Sequence, residues 1–291
     1  MIFLTGANGM LGTAIQDELK KLEIKFISSD IKGNVEYICD ISNKNNLLDV
    51  FGNNQIDMII NCAAWTDVDE AEDEDKKELV DKINIYGLSN LCEIAKKYNC
   101  KLLHISTDYV FDGQGDKPWK ETDIPTNPIN YYGQTKLQGE KLVEQLEKYF
   151  IVRTQWTYGK NGKNFVDAML KNAETRDAVQ VVNDQIGSPT CVEDLAKTLI
   201  EISLSEKYGY YHVVSSGDYV SWYDFCKEIY KLTGLSTKVI PVSSKDYSFS
   251  RAERPHNSRL DRNKYIECGF TKLPDWKESL ARYLCSICKI G

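Results

Sequence analysis

The sequence predicts an α/β protein, a Rossmann-type doubly wound parallel sheet followed by a smaller carboxy-terminal domain. Three observations carry this. Apolar, strand-like runs alternate with helix-like stretches through the first 155 residues, the pattern of βαβ units in a parallel sheet. A glycine-rich turn stands between the first such run and the first helical stretch. Beyond Arg153 the alternation loosens into shorter segments and polar-aromatic loops. The expected division is residues 1–155 and 156–291, with part of the second returning to the sheet of the first.

The chain of 291 residues can bury a large core. Its 42% hydrophobic and 27% charged content is that of a soluble globular protein. A net charge of −7 argues against a general binder of nucleic acid or anionic membrane. Met1 leads directly into Ile2-Phe3-Leu4 without a basic leader, and no apolar run approaches the roughly 20 residues that span a bilayer. A cytoplasmic location is expected. The nine cysteines are scattered and odd in number, which favours free, mostly buried thiols over a disulfide framework. The close pair Cys285 and Cys288 lacks further metal ligands nearby and reads as incidental.

Ile2 to Leu4 forms the first strand, and Thr5-Gly6-Ala7-Asn8-Gly9-Met10-Leu11-Gly12 follows. A helix starts near Met10 with Leu11, Ile15 and Leu19 on one side. Glycines at this spacing permit a tight turn and close approach to a pyrophosphate at the helix N-terminus. A plain strand-to-helix turn would look similar, but the position after the first strand favours nucleotide binding. Ile24 to Ser29 is the second strand and ends at Asp30. An acid about 20 residues past the loop suits ribose hydroxyls and NADH, while Lys32 leaves room for the extra phosphate of NADPH. Asp40-Ile41 closes another short strand and could approach the adenine. Ile56 to Asn61 runs into Cys62-Ala63-Ala64, where Ala63 and Ala64 either leave space for a flat cofactor or simply pack. The acid-rich segment 67–81 reads as a solvated helix start in preference to a metal site. Ile83 to Tyr98 is helical.

The strand Lys101 to Ser106 delivers Thr107, and a proline-containing loop leads to a helix bearing Tyr132 and Lys136. Residues four apart share a helix face. A phenol beside an ammonium is a proton donor whose pKa, ordinarily near 10, is expected to move towards neutrality, and the Thr107 hydroxyl would help hold a carbonyl oxygen. Tyr-x-x-x-Lys alone is common on ordinary helices. Phe150-Ile151-Val152 is the next strand. Residues 154–159 form a polar-aromatic strand end containing Trp156. Helices follow over Phe165 to Ala173, Val192 to Ile202 and Trp222 to Leu232, with extended segments over Val179 to Val182 and Tyr210 to Val214. Arg251, Arg254, Arg259 and Arg262 form either a phosphate-binding strip or a solvated basic loop. Asp261 to Tyr265 and Pro274 to Cys285 close the chain as helices. His104 and His212 fall inside strand-like runs and read as core residues.

Together the glycine loop, Asn61-Cys62-Ala63-Ala64, Thr107 and the Tyr132/Lys136 pair resemble the extended short-chain dehydrogenase/reductases. Within that group the stretches 63–72, 106–113, 182–190 and 254–260 look like the dTDP-4-dehydrorhamnose reductase subfamily, over essentially the whole chain. The resemblance implies hydride transfer from NADPH or NADH to the C4 ketone of a dTDP-linked 4-keto-6-deoxy sugar, for cell-surface polysaccharide synthesis. Tyr132 would protonate the alkoxide, Thr107 would bond the same oxygen, and Lys136 would hold the nicotinamide ribose. It implies a cofactor site of Gly6, Asn8, Gly9, Met10, Leu11, Gly12, Asp30, Asp40, Ile41, Ala63, Ala64, Tyr132 and Lys136. The dTDP-sugar would meet Thr107, Asp108, Tyr109, Trp156, Gln185, Arg254 and Asn257, largely in a carboxy-terminal substrate-binding domain. Related dehydratases carry Asp-Glu after the threonine; Asp108-Tyr109 here favours reduction, while epimerisation stays open. Ala14 stands where some members place a magnesium-binding acid, so no metal is implied. A homodimer is left open. The alternatives are a non-catalytic regulatory subunit of the methionine adenosyltransferase type, or a reductase or epimerase of another nucleotide sugar.

Overall fold

Six apolar runs, β1 (Ile2–Thr5), β2 (Phe26–Asp30), β3 (Tyr37–Ile38), β4 (Met58–Asn61), β5 (Lys101–Thr107) and β6 (Tyr149–Thr154), lie side by side in parallel. They are seen in a computed structural model that describes residues 1–247 and 250–287. A seventh parallel strand, Gly209–His212, comes back from the carboxy-terminal half to pair with β6. The order across the sheet is Gly209–His212, β6, β5, β4, β1, β2, β3. The order in which strands are added reverses between β1 and β4, and a crevice opens outside the carboxyl ends of the strands at such a switch point.

Successive residues of each strand face opposite sides of the sheet, and both sides are covered. Leu4, Ile60, Leu103 and Val152 pack with Ile15 and Leu19 of the helix Met10–Lys21 and Leu195 and Leu199 of the helix Val192–Leu204. Phe3, Ile59, Leu102 and Ile151 meet Leu47 and Phe51 of the helix Lys44–Asn53 and Leu91 and Ile94 of the helix Leu88–Tyr98. This two-sided burial explains why the strands read as continuous apolar runs. A separate core, built on Phe225, Ile229, Trp276 and Tyr283, joins the helices Phe165–Ala173, Trp222–Thr233 and Trp276–Ile287 to the paired strands Ala178–Val182 and Lys238–Val242.

Several local expectations change. Residues 83–98 are not one α-helix. A π-helical stretch, Lys82–Gly87, precedes the α-helix Leu88–Tyr98. It turns Asn84 inward, where Oδ1 accepts from the Trp65 amide at 2.8 Å and Nδ2 donates to Thr135 at 3.0 Å. Tyr37–Ile38, and not Asp40-Ile41, is the paired strand, because the Asp40 carboxylate accepts the Ser42 amide and hydroxyl and makes a turn. The helix expected over 261–265 is Asn263–Glu267. The helix Lys44–Asn53 was absent from the expected element order, although Leu47, Val50 and Phe51 carry the helical spacing. All eight cysteines among the described residues are free; Cys288, half of the close pair, lies outside them. No helix among the described residues is long and apolar enough to cross a membrane.

Candidate active site

The strand ends at the switch point open into one cavity of about 760 Å³. Gly6, Gly9, Met10, Leu11 and Gly12 line it from the glycine turn, Asp30, Asp40 and Ile41 from one side, and Ala63 and Ala64 from the end of β4. Thr107, Asp108, Tyr109, Tyr132, Lys136 and Trp156 line it opposite.

The turn is built tightly against its neighbours. Gly6 has φ +64°, and a Cβ there would lie 2.6 Å from the Ala63 amide nitrogen. A Cβ on Gly12 would lie 2.2 Å from the Gly6 carbonyl oxygen. Gly9 is the N-cap of the first helix, with no side chain capping it. The unpaired amides of that first turn therefore face the cavity, an arrangement that suits the pyrophosphate of a dinucleotide. Asp30 anchors the turn by accepting the Asn8 amide at 3.0 Å and the Ile31 amide at 2.7 Å. Asn8 itself does not line the cavity. Its Nδ2 donates to the Lys32 carbonyl at 2.6 Å, so the side chain braces the loop.

The helix Tyr131–Val143 begins at Asn130, whose side chain accepts the Gly133 amide at 2.8 Å and donates to the Glu253 carbonyl at 2.8 Å. A Cβ on Gly133 would lie 2.2 Å from the Tyr109 carbonyl oxygen. Only glycine lets this helix sit directly on the turn after β5, and that contact brings Tyr132 beside Thr107. The Tyr109 and Tyr132 rings meet edge-on at 5.8 Å. Thr107 Oγ1 accepts the Tyr109 amide at 3.2 Å and donates to Asp108 Oδ1 at 3.1 Å.

Protonation departs from the expectation. Burial pushes the Tyr132 phenol above its ordinary range, Asp108 adds to the rise, and Thr107 only partly offsets it. Lys136 does not bring the phenol towards neutrality, because its ammonium donates to the Ile105 carbonyl at 2.7 Å and lies 3.1 Å from His104 Nε2. Burial lowers Lys136 to about 8, against Glu140 and Cys62. The phenol thus holds its proton at neutral pH, the state from which a donor acts.

Burial also raises Asp108 to about 7, with Ser258 and Thr107 opposing, and Oδ2 has no partner among the described residues. A raised carboxyl pKa means that stability falls as pH climbs from the unfolded value near 4 to about 7 and is flat above. Asp108→Asn should remove that slope and gain up to about 4 kcal/mol at pH 8. Urea denaturation at pH 5 and pH 8 reads it; an unchanged slope would place the titration elsewhere.

Three nominated residues do not line the cavity. Gln185 donates to Ser244 at 2.9 Å. Arg254 forms a two-pronged pair with Asp69, 2.8 Å at its shorter arm. Asn257 donates to the carbonyls of Gln114 and Lys117 and accepts from Arg259. The four arginines are no free phosphate strip: Arg251 pairs with Asp73, and Arg262 donates to the Ser215 carbonyl. Asp69 and Asp73, expected on a solvated helix start, are their partners. Conversely, Gln155, Lys163 and Trp222 line the cavity unannounced. Trp222 stacks on Trp156 at 3.7 Å, and Trp156 holds φ +48°. Lys163, in Gly159-Lys160-Asn161-Gly162-Lys163, had a readable signal in its glycine-lysine pattern; Trp222 had none. No group of three or more His, Cys, Asp or Glu suited to a metal occurs among the described residues.

Comparison with known proteins places these features in a family. Residues 1–288 match the family model described as the RmlD substrate binding domain. The spore coat polysaccharide biosynthesis protein SpsK of Bacillus subtilis is 38% identical, over 97% of this chain and 96% of that one. The dTDP-4-dehydrorhamnose reductase of Escherichia coli K12 is 36% identical over the same shares. The crystal structure of dTDP-4-dehydrorhamnose reductase from Bacillus anthracis in complex with NADP superposes with a TM-score of 0.91 at 38% identity, covering 98% of both chains.

Proposed function

The chain belongs to the RmlD substrate binding domain family, and from that premise we propose that it reduces the C4 ketone of dTDP-4-dehydro-L-rhamnose to dTDP-L-rhamnose with NADPH or NADH. The observation that carries this reading is the meeting of Thr107, Tyr132 and Lys136 in the cavity that the glycine turn lines. The relatives named as dTDP-4-dehydrorhamnose reductases support the substrate, the NADP-bound relative supports the cofactor, and the spore coat protein supports a destination in polysaccharide synthesis.

When bound, the reduced nicotinamide supplies the hydride. Residues 1–155 seat it, with the first-turn amides of Met10–Lys21 facing its pyrophosphate and Lys136 its ribose. Residues 156–291 mainly shape the sugar site, where Trp156 forms a wall. Thr107 Oγ1 orients the ketone oxygen, and Tyr132, protonated by virtue of its burial, gives its proton to the forming alkoxide. Arg254 lies close enough to Tyr109 to act on its phenol. In this reading it serves the diphosphate end from the rim while Asp69 holds it. The intact trio speaks against a non-catalytic subunit. The enzyme would work in the cytoplasm without a nucleic-acid partner, alone or as a homodimer.

Purified protein should consume NADPH or NADH, followed by loss of reduced-nicotinamide absorbance, when given dTDP-4-dehydro-L-rhamnose. Turnover confined to another 4-keto nucleotide sugar in a substrate panel would overturn the assignment.

A further inference from the structure

Behind the catalytic lysine lies a polar chain that the mechanism above does not use. Lys136 Nζ is 3.1 Å from His104 Nε2. On the other side of the ring, His104 Nδ1 is 3.0 Å from Asn61 Nδ2. Asn61 Oδ1 in turn accepts from the Thr5 hydroxyl at 2.6 Å. All four side chains belong to residues at most 2% exposed, so no water competes for these bonds. Register places the chain: Thr5 pairs with Asn61, and Asn61 with His104, straight across β1, β4 and β5.

We propose that His104 is a positioning residue for the reduction: as a neutral imidazole it accepts a hydrogen bond from the Lys136 ammonium through Nε2, while Asn61 and Thr5 fix the ring from behind. This rests on the function proposed above for Lys136. An ammonium in this cavity has three protons and two fixed acceptors here, the Ile105 carbonyl and the imidazole. Holding two protons inward aims the third at the cavity, which Tyr132 lines and where a cofactor ribose would lie. A neutral ring with Nε2 accepting carries its proton on Nδ1, so the proposed arrangement turns the Asn61 carboxamide over, oxygen to the ring and nitrogen to Thr5, an exchange of two groups of nearly the same shape. The same chemistry recurs two strands further out. His212 Nδ1 lies 3.0 Å from the Trp119 carbonyl, and its Nε2 lies 3.2 Å from Arg153 Nη1. Burial and the neighbouring ammonium hold His104 well below its usual pKa, in keeping with a neutral ring. The other titratable groups around Lys136 are Cys62 from the end of β4 and, on its own helix, Tyr132 and Glu140; Glu140 is bound to Arg153.

Two measurements test this. Nitrogen-15 NMR of histidine-labelled native protein, with only three histidines to assign, should show His104 with Nε2 bare and Nδ1 protonated between pH 5.5 and 8. A protonated Nε2 in that range overturns the proposal. It needs no turnover, so it stands apart from any failure of the proposed substrate. In kinetics, His104→Phe should lower kcat about tenfold or more. It should also move the alkaline limb of kcat down by about one pH unit, since the ammonium loses a stabilising acceptor. His104→Gln, whose amide oxygen can accept from the ammonium, should restore most of both. An unmoved alkaline limb in His104→Phe would overturn the proposal even if stability fell. Should neither variant fold, the nitrogen-15 result decides.

Discussion

Tyr132→Phe is expected to lower kcat by about 10²- to 10⁴-fold, the range for a positioned general acid. Phenylalanine keeps the ring that meets Tyr109 edge-on at 5.8 Å, so the packing that seats the helix Tyr131–Val143 survives. Only the proposed proton donor is lost. Affinity for NADPH or NADH should stay close to wild type, because the glycine turn, Asp30 and Lys136 are untouched. Stopped-flow or steady-state rates with dTDP-4-dehydro-L-rhamnose, together with cofactor titration by fluorescence, separate the two effects. A variant that turns over at near the native rate would mean that another group, with Asp108 the nearest acid, delivers the proton.

Breaking the ion pair beneath the site should have the largest effect on stability. Glu140 and Arg153 are each 1% exposed. Arg153 Nε and Nη2 donate to the two carboxylate oxygens at 2.9 and 2.7 Å, and Ser106 donates to the same carboxylate at 2.6 Å. The guanidinium also sits between the rings of Phe111 and Tyr210, 4.8 Å from each. Arg153→Met leaves a buried, uncompensated carboxylate and should cost about 3–5 kcal/mol. Removing both charges in Arg153→Met/Glu140→Leu should recover much of the loss, since two charges no longer need burial. Urea denaturation of the single and double variants reads this directly. Equal stability of Arg153→Met and wild type would show that the pair is not buried in solution. Glu140 also supports the charge on Lys136, so the double variant should turn over more slowly even where it is stable.

How far these features could be seen in the chain depended on the range of the interactions that make them. The glycine turn, Asp30, the Ala63-Ala64 strand end and the Tyr132/Lys136 spacing are local patterns, and all of them line the cavity. Gln185, Arg254 and Asn257 are equally suggestive residue types, yet each is tied to a partner distant in sequence. The acid-rich segment 67–81 looked like a solvated helix because its neighbours in the chain are polar. The arginines that neutralise Asp69 and Asp73 arrive from the far end of the chain. His104 was expected in the core and is there, but its bond to Lys136 requires β5 and the following helix to be packed together.

What the sequence determined by itself is the architecture and much of the set of chemical groups that gathers at the cavity. Periodicity of 2 and 3.6 residues, and glycines where the backbone must bend or touch, act within a few residues and leave their mark there. What only the tertiary structure decided is the charge state of that chemistry. Lys136 was expected to lower the Tyr132 pKa, and it does not. Its ammonium is held by Ile105 and His104, and desolvation of the phenol, reinforced by Asp108, outweighs the hydrogen bond to Thr107. Desolvation is a property of everything packed over an atom, contributed by many strands and helices at once. No spacing along the chain records it.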